Sequence, residues 1–367
     1  MDSDVILVIV VATALGFDFT NGFHDTANAV ATSISTRAMS PRLAVAIAAV
    51  LNFVGAFISL EVAATVGKGI VEADLVSTTI VFAGLVGAIA WNLATWYFGL
   101  PSSSSHALIG GVVGAAFVAE GAKAVKGDGL LEKVLVPALI APTLAFVTAA
   151  LSIVVAYRIV GRLRPGPVNR GYRLGQIVSG SLFSLSHGTN DAQKTMGIIT
   201  LALVAHGDIS ASNFEVPDWV VVSAASAIAA GTYAGGWRII RTMGTRIIKM
   251  DPAQGFVAQG AGASVILAAS HFGYPLSTTH TVSGAVMGAG AGKRLSAVRW
   301  GVAGNIAAAW VLTVPASALV GGATFGLTRI FGTGALGPLV VSISLVGLLI
   351  AMFGRRVAEG RPLTAEG

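Results

Sequence analysis

The chain has 367 residues, of which 54% are hydrophobic and only 11% charged, against about 25% charged in an average soluble domain. So few charges cannot cover a water-soluble globule, and the chain reads as an all-α integral membrane protein. Its net charge of +6 lies in short gaps between apolar runs, a topology signal and no nucleic-acid footprint, and without cysteine there are no disulfides or thiolate metal sites.

The chain opens Met1-Asp2-Ser3-Asp4 and runs straight into apolar sequence. It lacks the basic start and small-residue cleavage site of a secretory signal, so this stretch is expected to be a first transmembrane helix. A hydrocarbon core about 30 Å thick needs roughly 20 helical residues. Apolar stretches of about that length or more occupy 5–34, 41–66, 76–98, 134–160, 174–205, 218–240, 255–273, 298–325 and 335–354. Two shorter ones, 105–120 and 279–291, follow polar turns and are expected to be half-helices of two re-entrant hairpins. The sum is about ten to twelve membrane segments.

Basic loops set the orientation. Arg37 and Arg42 follow the first stretch, and Arg158, Arg162, Arg164, Arg170 and Arg173 surround the linker Arg-Leu-Arg-Pro-Gly-Pro at 162–167. Arg238, Arg241, Arg246 and Lys249, then Lys293, Arg294 and Arg299, then Arg355 and Arg356, mark further inside loops; Asp208, Glu215 and Asp218 mark an outside one. Five crossings before the linker and six after it satisfy all of these except Arg329. The expectation is a multi-pass plasma-membrane protein with its N-terminus outside and its C-terminus cytoplasmic. The predicted units are 1–161 as a first inverted repeat, 162–173 as a basic cytoplasmic linker and 174–325 as a second inverted repeat. An extra C-terminal helix and cytoplasmic tail fill 326–367.

Two pairs of polar motifs support that division. Asn21-Gly22-Phe23-His24-Asp25-Thr26-Ala27-Asn28 pairs with His187-Gly188-Thr189-Asn190-Asp191-Ala192-Gln193-Lys194, setting Asp25 on Asp191 and Asn28 on Lys194. Pro101-Ser102-Ser103-Ser104-Ser105-His106 pairs with Pro275-Leu276-Ser277-Thr278-Thr279-His280. An odd number of crossings in the first half inverts the second, and inverted repeats with discontinuous helices are the sequence mark of secondary transporters.

A carboxylate such as Asp25 or Asp191 in hydrocarbon costs at least about 2.5–3.5 kcal/mol. Each must face a hydrated cavity, bind a cation, share a proton or, for Asp191, pair with Lys194 three residues on. A proline, then Ser or Thr, then an apolar run reads as a helix start, where free N–H groups and the dipole favour an anion. Two such starts from opposite membrane sides could hold a tetrahedral oxyanion; the alternatives are plain N-capping or hydroxyls tying helices together. His24, His106, His187 and His280 are either proton relays or packing residues. Asn52, Asn92, Gln259 and Asn305, all within apolar runs, read as interhelical hydrogen-bonding residues.

Gly22 to Ala29 and Gly188 to Asp191 resemble the paired signature of the inorganic phosphate transporter (PiT) family, and Pro101 to His106 and Pro275 to His280 resemble its hairpin motifs. The resemblance spans essentially the whole chain. It implies phosphate uptake down a cation gradient, an inverted-repeat fold, a mobile transport part and a scaffold that often forms a homodimer. Carried over by position, Asp25, Asn28, Asn190 and Asp191 belong to the ion and substrate site, with His24 beside them. Ser103, Ser104, Ser105, Ser277, Thr278 and Thr279 contact phosphate.

There are departures. Sodium-coupled relatives read Gly-Ala-Asn-Asp where this chain has His24 before Asp25, and acidic positions of animal relatives fall at Asn52 and Gln259. Imidazole is a poor ligand for sodium. The version here is similar to bacterial members of low-affinity type, thought to use protons and to carry phosphate as a neutral complex with Mg2+ or Ca2+. The expected function is therefore phosphate import by proton symport through alternating access. Sodium coupling is the first alternative, and a non-concentrating oxyanion channel or sensor the second. No resident cofactor is expected and any metal site is unassigned. Enzyme chemistry is disfavoured because the two polar clusters mirror each other, whereas catalysis wants unlike acid and base environments. No Gly-Lys-Ser/Thr nucleotide loop is present.

Overall fold

The apolar runs become helices because, at membrane depth, a backbone can satisfy its own N–H and C=O groups only within a helix or a closed barrel. A computed structural model describes residues 2–358, with side chains for residues 3–347. Met1 and residues 359–367, the end of the predicted cytoplasmic tail, lie outside the described residues. Among the described residues there is no strand, only the isolated bridges Val71–Val125 and Ile248–Val298.

The first half holds α1 (Asp2–Ser35), α2 (Pro41–Gly55), α3 (Glu61–Lys68), α4 (Thr78–Phe98), α5 (Ser104–Glu120), a short α6 (Gly127–Leu130) and α7 (Val136–Val160). The second holds α8 (Pro165–His206), α9 (Asp218–Ala234), α10 (Trp237–Arg241), α11 (Pro252–His271), α12 (Thr278–Lys293), α13 (Trp300–Ile330) and α14 (Leu336–Ala358). Local chemistry sets their ends. Ser77 accepts from the Ile80 N–H, Asp251 and Gln254 form a capping box, and Pro41, Pro165 and Pro252 occupy first turns. Gly99 ends α4 at φ 66° and Gly207 ends α8 at φ 99°, left-handed conformations that glycine adopts without penalty.

The stretches 5–34 and 174–205 are continuous helices that run through the polar motifs at 21–28 and 187–194, α1 with 34 residues and α8 with 42. Two other predicted stretches do not hold as single spans: 41–66 divides into α2 and α3, and within 218–240 α9 bends by 61° into the segment from Trp237 to Arg246. Among the described residues four helical segments are long and apolar enough to cross a membrane, Ser3–Ser35, Thr78–Phe98, Gly127–Val160 and Trp300–Ile330, and the bent pair counted as one span makes a fifth. α5 and α12, with 17 and 16 residues, reach only about 25 Å against a core of about 30 Å. The outward apolar rows of α7 (Leu139, Leu144, Leu151, Ile159) and α13 (Val311, Leu319, Ile330) are the surface a bilayer covers. The chain is a multi-pass membrane protein.

One packing scheme occurs twice with the halves exchanged. α5 packs on α13 and α12 on α7; α1 packs on α9 and α8 on α2; α4 packs on α1 and α11 on α8. The Lys126 N–H donates to Ile70 O as the Arg299 N–H does to Ile247 O, both at 3.0 Å. Gly22 lies against the backbone of Ile228 and Thr232, and Gly188 against that of Asn52. A methyl group at either position would collide with backbone.

Two apolar cores result. One takes Ile6 to Phe17 of α1 with the starts of α4 and α9 and the end of α8; the other takes Ala27 to Ala31 of α1 with α7, α11 and α12. Between them, at the middle of α1 and α8, lies a polar layer.

Candidate functional site

Helical periodicity builds the layer. Asp18, Asn21, Asp25 and Asn28 recur at three- and four-residue intervals along α1, as do His187, Asp191 and Lys194 along α8, so each set lines one face. The two faces pack together, and the N-terminal ends of α5 and α12 meet them. All seven side chains, and Ser103, Ser104, Ser105, Ser277, Thr278 and Thr279, are at most 3% exposed.

Asp25 lies at the centre. Its Oδ1 accepts from His24 Nδ1 at 2.6 Å and faces Thr279 Oγ1 at 3.3 Å; its Oδ2 faces Ser104 Oγ at 2.9 Å and Thr278 Oγ1 at 3.5 Å. Ser104 Oγ is also 2.6 Å from Asn21 Oδ1, and its single proton serves one acceptor at a time. Thr278 Oγ1 bridges to Asp191 Oδ2 at 3.0 Å, which joins the two aspartates through one hydroxyl. Asn28 Nδ2 donates to Thr279 Oγ1 at 2.9 Å.

Asp191 has a different set of neighbours. Lys194 Nζ bonds to its Oδ1, to Ser105 Oγ at 2.5 Å and to Leu276 O at 2.6 Å. The i,i+3 pairing that the sequence offered as one alternative is therefore present. His187 Nε2 lies 3.0 Å from Asp191 Oδ2 and 4.0 Å from Asp25 Oδ2. A chain of donors fixes the imidazole. Thr232 Oγ1 donates to Ile228 O at 2.8 Å, so it accepts from Asn52 Nδ2 at 2.8 Å, which leaves Asn52 Oδ1 to accept from His187 Nδ1 at 3.1 Å. With the Nδ1 proton thus engaged, His187 Nε2 meets Asp191 attractively only if a further proton lies between them.

The predicted phosphate residues divide. Ser104, Ser105, Thr278 and Thr279 enter the shared cluster, whereas Ser103 Oγ accepts from the His106 N–H at 3.1 Å and Ser277 Oγ from the His280 N–H at 3.2 Å. Those two hydroxyls are helix caps. Asn190 stands apart from Asp25: its Nδ2 donates to Ser270 Oγ at 2.8 Å and Tyr274 O at 3.1 Å. It ties α8 to α11 as His24 Nε2, 3.2 Å from Thr95 Oγ1, ties α1 to α4. His106 and His280 touch edge to face, and His280 stacks on Trp310. Asn52 and Gln259 bridge helices as expected, Gln259 Nε2 donating to Ala29 O at 2.8 Å, whereas the buried Asn92 side-chain amide has no hydrogen-bond partner among the described residues and Asn305 is exposed.

Asp18 was missed by the sequence reading. It is fully buried, with Oδ1 accepting from Asn21 Nδ2 at 3.4 Å. Its signal was available, since an acid inside an apolar run, seven residues before Asp25, shares Asp25's helical face.

The profile of the phosphate transporter family matches residues 21–321. A Mycobacterium tuberculosis protein named a probable low-affinity inorganic phosphate transporter is 54% identical over 327 residues, 89% of this chain and 78% of its own. Proteins of the same name are 50% identical in Rhizobium meliloti, over 86% and 94% of the two chains, and 44% identical in Bacillus subtilis, over 89% and 98%. A solved structure titled the sodium-dependent phosphate transporter aligns at TM-score 0.80 and 26% identity, covering 89% of this chain and 99% of that one. These relatives are named as transporters, and the family is not enzymatic.

Proposed function

The chain belongs to the phosphate transporter family, and we propose that it imports inorganic phosphate by proton symport through alternating access. One observation carries this: hydroxyls from both Ser/Thr turns converge in one buried layer, Ser104, Thr278 and Thr279 on Asp25 and Asp191, and Ser105 on the Lys194 ammonium that pairs with Asp191. Hydroxyls and the free N–H groups of two helix starts donate to a tetrahedral oxyanion without adding fixed charge. Two carboxylates beside a phosphate repel it when charged. Once protonated they donate to it, and that difference couples the two solutes.

Protons are favoured over sodium because each carboxylate has an imidazole nitrogen within 3.0 Å, His24 at Asp25 and His187 at Asp191. Sodium prefers oxygen ligands; sodium dependence belongs to the solved neighbour's title. Burial of the site supports alternating access. The site residues are closed off from solvent, so phosphate enters only when helices part. The exchanged packing of the halves supports two inverted repeats, 1–161 and 174–325, with α4–α5 and α11–α12 as re-entrant hairpins rocking against the rest. A metal-bound form of the substrate is also favoured by one observation: Asp25, His187 and Asp191 offer ligand atoms within 4.8 Å of one another, the reach of a single divalent cation travelling with phosphate.

The test is radioactive phosphate uptake by the purified protein in sodium-free liposomes under an inward proton gradient, with and without Mg2+. Accumulation above equilibrium is expected. Accumulation that needs sodium would overturn proton coupling, and mere equilibration would indicate a channel.

A further inference from the structure

The two halves bring the same motif to the site with one difference in charge. Asn28 of α1 and Lys194 of α8 occupy matched places, three residues after Asp25 and Asp191. On the Asp25 side, Asn28 Nδ2 is bonded to Thr279 while its buried Oδ1 has no hydrogen-bond partner. On the Asp191 side, Lys194 is 2% exposed and its ammonium has three oxygen partners of three kinds: the Asp191 carboxylate, the Ser105 hydroxyl and the Leu276 carbonyl. An ammonium has three N–H donors, and all three are used. A carboxylate, a hydroxyl and a backbone carbonyl are also the ligands a small monovalent cation takes.

We propose that Lys194 is a tethered cation. Its ammonium fills, beside Asp191, the place an exchangeable monovalent cation would otherwise occupy, so that only the Asp25 side is loaded and emptied in each cycle. This rests on the phosphate-symport reading and deepens it, since one positive charge stays with the protein while its counterpart travels. It also explains the asymmetry of the two motifs. A free oxygen, Asn28 Oδ1, remains where a cation must come and go, and a covalently held charge sits where none has to. Lys194 is accordingly a specificity-determining residue for the cation requirement.

The experiment compares wild type with Lys194→Asn and Lys194→Arg in liposomes, reading phosphate uptake in sodium against choline medium. In parallel, thermal melts of the detergent-purified proteins are titrated with sodium chloride or choline chloride. In choline, Lys194→Asn should lose uptake on the order of a hundredfold, the usual consequence of stranding a buried charge without its partner. Sodium should restore it saturably, so that the sodium-to-choline uptake ratio rises at least about tenfold over wild type. Sodium should likewise raise the melting temperature of Lys194→Asn more than that of wild type. Lys194→Arg, which keeps the charge, should keep the wild-type ratio. A purely structural lysine would give Lys194→Asn a low melting temperature and low uptake with no sodium response, and that result overturns the proposal. So does wild-type uptake by Lys194→Asn in choline, or a new sodium demand in Lys194→Arg. Failure of wild type to accumulate phosphate in any medium would defeat the transport reading instead, and the melts would still judge Lys194.

Discussion

Replacing Asp25 by Asn changes the charge of the site with little change in shape. Asp25 Oδ1 accepts from His24 Nδ1 at 2.6 Å, so the substituted amide must keep its oxygen there to avoid setting donor against donor. Its NH2 then lies where Oδ2 was, facing Ser104 and Thr278 at 2.9 and 3.5 Å. Both hydroxyls have another acceptor, Ser104 in Asn21 Oδ1 and Thr278 in Asp191 Oδ2, and can turn to it. The net structural loss is about one hydrogen bond to a charged group, about 1.5–3 kcal/mol, and the protein should insert and stay folded. What disappears is the group whose protonation follows the gradient. Uptake under an imposed proton gradient should therefore fall to equilibration, with the melting temperature as the control for folding. A folded Asp25→Asn protein that still accumulates phosphate above equilibrium would refute the role given to Asp25.

Other perturbations separate binding from architecture. Thr278→Val removes the hydroxyl that bridges the two aspartates while keeping its volume, and should raise the KM for phosphate roughly two- to tenfold, the worth of one hydrogen bond. Asp251→Ala removes the cap of α11, the acceptor of Tyr157 at 2.5 Å and the partner of Lys293 at 3.0 Å. The melting curve of the purified protein should record a loss of about 1–2 kcal/mol. Gly22→Ala forces a methyl group onto the Ile228 carbonyl and should cost about 1–3 kcal/mol of packing strain, read as a lower yield of folded protein after detergent extraction.

Much of the fold was legible because its signals are local. The predicted stretches 76–98 and 134–160 are α4 and the main part of α7 within two residues at each end, and the Ser/Thr turns lie where the sequence put them. The continuous α1 and α8 were legible as the stretches 5–34 and 174–205; what local sequence did not show is that the polar faces of these two helices pack against each other. The kink at 235–236 was marked by two glycines, Gly235 at φ 72°. Its counterpart at 56–60, Ala-Phe-Ile-Ser-Leu, contains neither glycine nor proline and is set by tertiary packing. Asp18 escaped because the repeat served as the filter: Ser184 stands at the matching position of the second half, so the acid had no twin. The tie from His187 to Asn52 spans 135 residues, and nothing in local sequence announces such a pairing.

The most direct measurement is to locate the oxyanion itself. Crystals grown with arsenate, a tetrahedral stand-in for phosphate with an anomalous signal, should show one peak within hydrogen-bond reach of hydroxyls from both turns, among Ser104, Ser105, Thr278 and Thr279. A peak elsewhere in the protein, or one held by a single turn, would contradict a phosphate site shared by the two halves.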